Sequence, residues 1–262
     1  MLNLTGVEKT FFAGTANERR ALRSISLHLA EGDFATIIGS NGAGKSTLLN
    51  VIAGSLPIDK GKIEVGERDV TKRPAYRRAA LLARVFQDPQ AGTAPHLTIE
   101  QNMSIALTRG RRRGLGRGVG RRRRAEFREH LAVLGLGLEN RLKTRVGMLS
   151  GGQRQALSLL MASFTEPKLL LLDEHTAALD PARAELVTEL TEKVVADSHL
   201  TALMVTHNMA QALRVGNRLL MMHEGQIILE LNAAQKRRTT VADLMERFTS
   251  VKGQMADRSL LS

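Results

Sequence analysis

The sequence predicts an α/β fold: a mainly parallel sheet, an antiparallel β portion at the N-terminus, and an inserted α-helical subdomain. Two observations carry this. The apolar runs DFATIIG (33–39), KLLLLDE (168–174) and LTALMVTH (200–207) do not alternate with polar residues. That is the pattern of strands covered on both faces, as in parallel sheets flanked by helices. Between Pro95 and Gly147 the apolar runs give way to helical spacing.

The elements follow in order. The stretches 3–12 and 24–30 alternate and suggest antiparallel strands. The run 33–39 reaches the turn SNGAGK and then the helical STLLNVIAG. LLARVF (81–86) is a further strand-sized apolar run. TIEQNMSIAL (98–107) and RAEFREHLAVLGL (124–136) have helical spacing. Ser150 suits an N-cap, with Leu157, Leu160 and Met161 on one face of the helix it opens. Asp180-Pro181 reads as an N-cap with a first-turn proline. NRLLMMHEGQIILE (217–230) reads as a hairpin turning near Glu224-Gly225, and Thr240 with Asp243 opens a short helix. The expectation is one domain over 1–250. Its core is 1–94 and 148–230, its helical subdomain about 95–147, its C-terminal helix about 239–248, and 251–262 a loose tail.

Composition excludes several classes. No cysteine means no disulfide, which fits a reducing compartment. MLNLTGVEKTFFAG lacks the basic start and long apolar core of a signal peptide. No run reaches the roughly 18 apolar residues of a membrane span. A soluble cytoplasmic chain is expected. The net charge of +12 is local, because RGRRRGLGRGVGRRRR, Arg109 to Arg124, supplies nine arginines and no acid. Such a segment suits anionic lipid or a charged partner. A solvated excursion explains it equally. It has no aromatic residue on which single-stranded nucleic acid would stack, so nucleic acid is not the expected partner.

The chemistry is concentrated at strand ends. GSNGAGKST (39–47) matches the Walker A pattern, following a strand and opening a helix. Ser40, Asn41, Gly42, Ala43 and Gly44 would wrap phosphates with backbone N–H groups. Lys45 would place its charge at the β- and γ-phosphates. Ser46, followed by Thr47, offers a hydroxyl to Mg²⁺. Asp173, closing a buried strand, needs a counter-charge or a metal and is expected to hold Mg²⁺ through water. Glu174 would polarise the attacking water; the alternative is that one of the two acids only caps the next helix. His207 ends its strand level with the acids. Gln87 follows LLARVF and is anonymous in isolation. The seven histidines show no metal-ligand spacing.

These motifs in this order resemble the ATP-binding cassette (ABC) transporter ATPase family. The residues are GSNGAGKST, a Q-loop at Gln87, the signature LSGGQ (149–153), Walker B LLLLDE (169–174), the D-loop AALD (177–180) and a switch histidine at His207. The resemblance spans residues 2 to about 230. It implies a P-loop NTPase core that binds and hydrolyses ATP with Mg²⁺, Gln87 joining Ser46 and Asp173 near the metal. It implies a base-stacking aromatic at Phe11, with Phe12 as the alternative register. Two copies would pack head to tail, each ATP lying between Walker A of one and Ser150, Gly151, Gly152 and Gln153 of the other. DEHTAALD departs from the common DEPTSALD by placing His175 where proline is usual, with no expected effect on the chemistry.

A lone cassette without a membrane span resembles the ATPase subunit of a bacterial importer. That implies a separate membrane permease seated near Gln87, an extracytoplasmic solute-binding protein, and a peripheral place on the inner face of the plasma membrane. LARVFQDPQAGTAPHLTIEQN and LLDEHTAALDP resemble more narrowly a group paired with branched-chain-type permeases and binding proteins for tryptophan- or tyrosine-like amino acids. The alternative is a soluble ATPase of this family acting on nucleic acid or the ribosome through its arginine-rich loop.

Overall fold

The structure is a computed structural model that describes residues 1–109 and 119–260, with side chains to residue 250. The chain begins with β1 (Leu2–Phe11), β2 (Arg19–Leu29), β3 (Phe34–Gly39), α1 (Lys45–Ala53), β4 (Lys60–Val65) and β5 (Arg68–Asp69). It continues with α2 (Ala75–Arg78), β6 (Leu82–Val85), α3 (Ile99–Ala106), α4 (Arg121–Ala132) and α5 (Gly151–Ser163). The last part holds β7 (Leu169–Asp173), α6 (Pro181–Asp197), β8 (Thr201–Val205), α7 (Met209–Arg214), β9 (Arg218–His223), β10 (Gln226–Leu231), α8 (Ala233–Arg238) and α9 (Val241–Leu260).

Two sheets result. β2, β1, β4 and β5 form an antiparallel sheet in that order. The second sheet runs β10-β9-β3-β8-β7-β6, parallel except for the β9–β10 hairpin. That hairpin turns on Glu224 and Gly225, both at positive φ, the geometry of a two-residue turn matched to strand twist.

Burial explains the continuous apolar runs. Leu169 and Leu171 pack into one core with α1 and the antiparallel sheet, while Leu170 and Leu172 pack into another with α3, α4, α5 and α6. Leu203 and Val205 repeat the split against Ala202 and Met204. Successive strand residues point to opposite faces, so a strand covered on both sides has no polar position to show.

The helical insertion leaves and returns at a neck. Thr98 bridges Arg145, Ile99 N–H donates to Thr144 O, and Val146 N–H donates to Leu97 O. Its Phe127, Leu131 and Leu138 join the same core as α5. A capping box at Thr98 and Gln101 starts α3.

Three sequence expectations are altered. Arg121 to Arg123, expected to precede the helix at 124–136, join Arg124 in the first turn of α4. Arginine is a good helix former, and Arg122 pairs with Glu126 one turn on. Both ends of the arginine segment are also bonded internally. Arg109 donates to Ala162 O and to Thr165, and Arg124 grips Glu100 at 2.7 and 3.3 Å. The rest of that segment, residues 110–118, lies outside the described residues. The final helix does not stop at 248. It runs to Leu260, since no proline interrupts 249–260 and Gly253 is the one strong breaker; so the expected loose tail is helical as far as it is described.

Candidate functional site

β3, β8, β7 and β6 lie side by side and parallel, so their carboxyl ends open on one edge. Gly39 closes β3. Asp173 closes β7 and pairs with Val205, the last residue of β8. Val85 closes β6 and pairs with Leu172. Sheet register therefore delivers Gly39–Thr47, Asp173-Glu174, His207 and Gln87 to one place, where open α/β sheets take ligands.

The loop Gly39–Thr47 is shaped by glycine. Gly42 and Gly44 hold φ of 83° and 99°. A Cβ on Gly44 would come within 2.4 Å of Ala21 O, so only glycine lets β2 lie this close. Lys45 is buried and begins α1. Its Nζ donates to Gly39 O at 2.8 Å and Ser40 O at 3.1 Å. Burial lowers its pKa, while the charges of Glu174 and Asp173 oppose the shift. The cation therefore already faces both acids.

Glu174 sits at φ 44°, strained for a residue with a side chain. Its N–H donates to Val205 O, which fixes it against β8. His207 Nδ1 stands 3.6 Å from Glu174 Oε2. Gln211 braces both turns: it accepts from Thr206 at 2.6 Å and donates to Thr188 at 2.8 Å and Thr176 at 3.4 Å. Gln87 is exposed just beyond β6, and Gln155 on α5 donates to the neighbouring Phe86 O.

Asp173 is ion-paired to Arg84 at 2.5 Å. No group of three His, Cys, Asp or Glu suited to a metal occurs among the described residues. A carboxylate and the Ser46 hydroxyl beside a phosphate loop nevertheless suit Mg²⁺, which keeps waters and takes most of its protein anchoring from one or two oxygens plus substrate phosphates.

The LSGGQ stretch stands apart from this edge. Ser150 Oγ accepts from Gln153 N–H at 3.3 Å, and Gln153 Oε1 accepts from Ser150 N–H at 3.2 Å. This is a full capping box, so Gln153 has a role within its own chain that the sequence reading did not give it. The glycines have one too. A Cβ at Gly151 would approach Leu179 to 3.2 Å, and one at Gly152 would approach Arg183 to 3.3 Å.

At the far end of β1, Phe11 is partly buried opposite Arg19, and Arg19 donates to Gly42 O at 3.3 Å. Phe12 follows at φ 53°, 69% exposed. The strand end thus abuts the phosphate loop, with Phe12 the more open ring. Sequence reading missed Arg19, Arg84 and Gln211. None lies in a motif, and only strand pairing shows what they reach.

The comparisons with known proteins agree with this geometry. A family model described as ABC transporter matches residues 22–177. The chain belongs to the ABC transporter family. It is 42% identical over 249 residues to the tyrosine transport ATP-binding protein of Clostridioides difficile (strain R20291), covering 95% of this chain and 98% of that one. It is 38% identical over 204 residues to a thiamine import ATP-binding protein, ThiQ, of Photorhabdus laumondii, covering 77% and 80%. Its fold matches the cassette MJ0796 in a dimeric post-hydrolysis state bound to ADP and Pi, with TM-score 0.75, 28% identity, and coverage of 89% and 99%. This cassette is an ATPase of the import type, with a P-loop core. No helix among the described residues is long and apolar enough to cross a membrane.

Proposed function

We propose that this cassette powers uptake of an aromatic amino acid, tyrosine or a close analogue, through a separate permease at the inner face of the membrane. The observation that carries the cargo is the 42% identity, over nearly both full lengths, to a tyrosine transport ATP-binding protein. Nothing in a cassette touches the solute, so the cargo is read from kinship alone. In this reading a solute-binding protein delivers the amino acid outside. The permease seats in the cleft of about 330 Å³ lined by Arg84, Asn102, Ile105 and Arg109. The arginine-rich segment Arg109–Arg124 would be the part that meets anionic headgroups.

The site residues take these roles. Backbone N–H groups of Ser40 to Lys45 and the Lys45 cation hold the ATP phosphates. Ser46, Asp173 and Gln87 would hold Mg²⁺, which supplies charge neutralisation at the phosphates. Glu174 orients and polarises the attacking water, and His207 holds Glu174 and the γ-phosphate in line. Phe11 or the more exposed Phe12 stacks on the base. Ser150, Gly151, Gly152 and Gln153 of a second copy close the site over the nucleotide, and the cleft of about 680 Å³ beside His207 and Leu179 faces that copy.

Uptake into proteoliposomes holding this chain with its permease and binding protein tests the proposal. ATP-driven tyrosine accumulation that disappears in Glu174→Gln is expected. Accumulation of a sulfonate or thiamine but not tyrosine would overturn the cargo. Failure to bind any permease, together with RNA-stimulated ATP hydrolysis, would favour action on nucleic acid.

A further inference from the structure

We infer that Arg84 is a positioning residue that sets the carboxylate of Asp173 for the metal, and that it does so from the face of the sheet that α1 covers. The inference rests on the Mg²⁺ role proposed above for Asp173.

Arg84 lies on β6, one strand from Asp173 at the end of β7. Its guanidinium is a fork with two separate targets. Nη2 donates to Asp173 Oδ2 at 2.5 Å, and Nη1 donates to Asn50 Oδ1 on α1 at 2.7 Å. The group also lies 4.9 Å from the ring centre of Phe86, which precedes Gln87. Both partners of the ion pair are largely shielded, with side chains 13% and 14% exposed. A shielded pair of this kind is held far more firmly than a surface one, because solvent does not screen it.

The fork joins two elements that must act together. Asn50 belongs to α1, the helix that starts with Lys45 and Ser46. Asp173 belongs to β7. Arg84 therefore fixes the metal-binding carboxylate relative to the helix that carries the metal-binding hydroxyl. It takes Oδ2 and leaves Oδ1 as the acceptor for a metal-bound water. Lysine has no planar fork with which to hold both acceptors at once.

Partners that orient a metal ligand from behind are worth about 10- to 100-fold in metal affinity. The sign is informative. A guanidinium that orients Asp173 strengthens metal binding, whereas one that merely competes for the carboxylate weakens it.

The test titrates Mn²⁺, followed by electron paramagnetic resonance, into the full chain saturated with a non-hydrolysable ATP analogue. Arg84→Met is expected to weaken Mn²⁺ binding by roughly 10- to 100-fold, with affinity for the metal-free analogue unchanged. Arg84→Lys should recover part of the loss. Asn50→Ala, which frees the other end of the fork, should give a smaller loss in the same direction. Should Arg84→Met fail to fold, Asn50→Ala decides: a weakened Mn²⁺ site supports the role, and an unchanged one overturns it. Unchanged or tighter Mn²⁺ binding in Arg84→Met also overturns it. A wild-type chain that binds analogue but no Mn²⁺ is a separate failure, that of the metal role itself.

Discussion

Two stretches of this chain carry glycines at the start of a helix, and they are built differently. In Gly39–Thr47 the glycines are conformational: Gly42 and Gly44 take positive φ, and the loop curls so that Lys45 reaches back to Gly39 O and Ser40 O. In Leu149–Gln153 the glycines are helical and steric. They let Leu179 and Arg183 pack close, while Ser150 and Gln153 cap each other. The first stretch is a cradle with its own cation and two acids opposite. The second is a capped helix end without such a cradle. The two constructions fit the proposed division of labour, in which the second stretch serves a nucleotide that another copy cradles.

The sharpest way to break this comparison is to act on the second stretch and read the dimer. Glu174→Gln keeps the shape of the side chain and removes its charge, so ATP should accumulate unhydrolysed and hold two copies together. Adding Ser150→Arg places a cation in the closing interface, where a buried unpaired charge costs roughly 3–5 kcal/mol, more than 100-fold in association. The single variant is expected to run as a dimer with ATP and the double variant as a monomer that still binds ATP, as read by light scattering during size exclusion. An ATP-dependent dimer of the double variant would refute the shared site.

Acting on the first stretch should give the opposite pattern. Lys45→Ala removes the buried cation of the cradle. One charged hydrogen bond is worth about 1.5–3 kcal/mol, so affinity for Mg-ATP should fall by roughly 10- to 100-fold by isothermal titration, before any dimer can form. Unchanged affinity would remove this loop from the site.

How much of this was readable in advance depended on the range of the interactions. Walker A, Asp173-Glu174 and His207 are local patterns, a strand followed by a specific turn, and the sequence showed them together with the parallel sheet that aligns them. Arg84 was not readable, because its significance comes from lying one strand from Asp173, 89 positions away. Arg78 is similar. It is buried and donates to Val51 O, Ile52 O, Thr71 O and Arg73 O, capping the end of α1 with a charge. Gln153 was read incompletely for a subtler reason. A capping box is a short-range pattern, but the family signature overlies it and drew the reading toward a partner.

The smallest expected effect concerns His175, which stands in the turn after β7 and ties it to α6, the helix that packs on the second stretch. The ring is buried, and its Nε2 lies 2.9 Å from Thr191 Oγ1. That hydroxyl already gives its one proton to Val187 O at 2.7 Å, so Nε2 must carry the hydrogen and donate. A second proton would put a charge in a fully buried site, and burial lowers the pKa from 6.5 to about 4. The sign follows. Above pH 6.5 the imidazole is neutral folded or unfolded and costs nothing. Between about 6.5 and 4 the unfolded chain takes up a proton that the folded chain refuses, so stability falls as pH falls. From pH 7.5 to 5 the loss attributable to this group is about 2 kcal/mol. His175→Gln keeps a donor to Thr191 and does not titrate. Urea unfolding at the two pH values should therefore show the wild type losing about 2 kcal/mol more than the variant. Equal losses would mean that the histidine is not held neutral. Because His175 anchors α6, amide exchange below pH 6 is expected to rise first in α6 and at the start of α5, while the hydrogen-bonded amides of β3 and of α1 from Leu48 onward are unchanged.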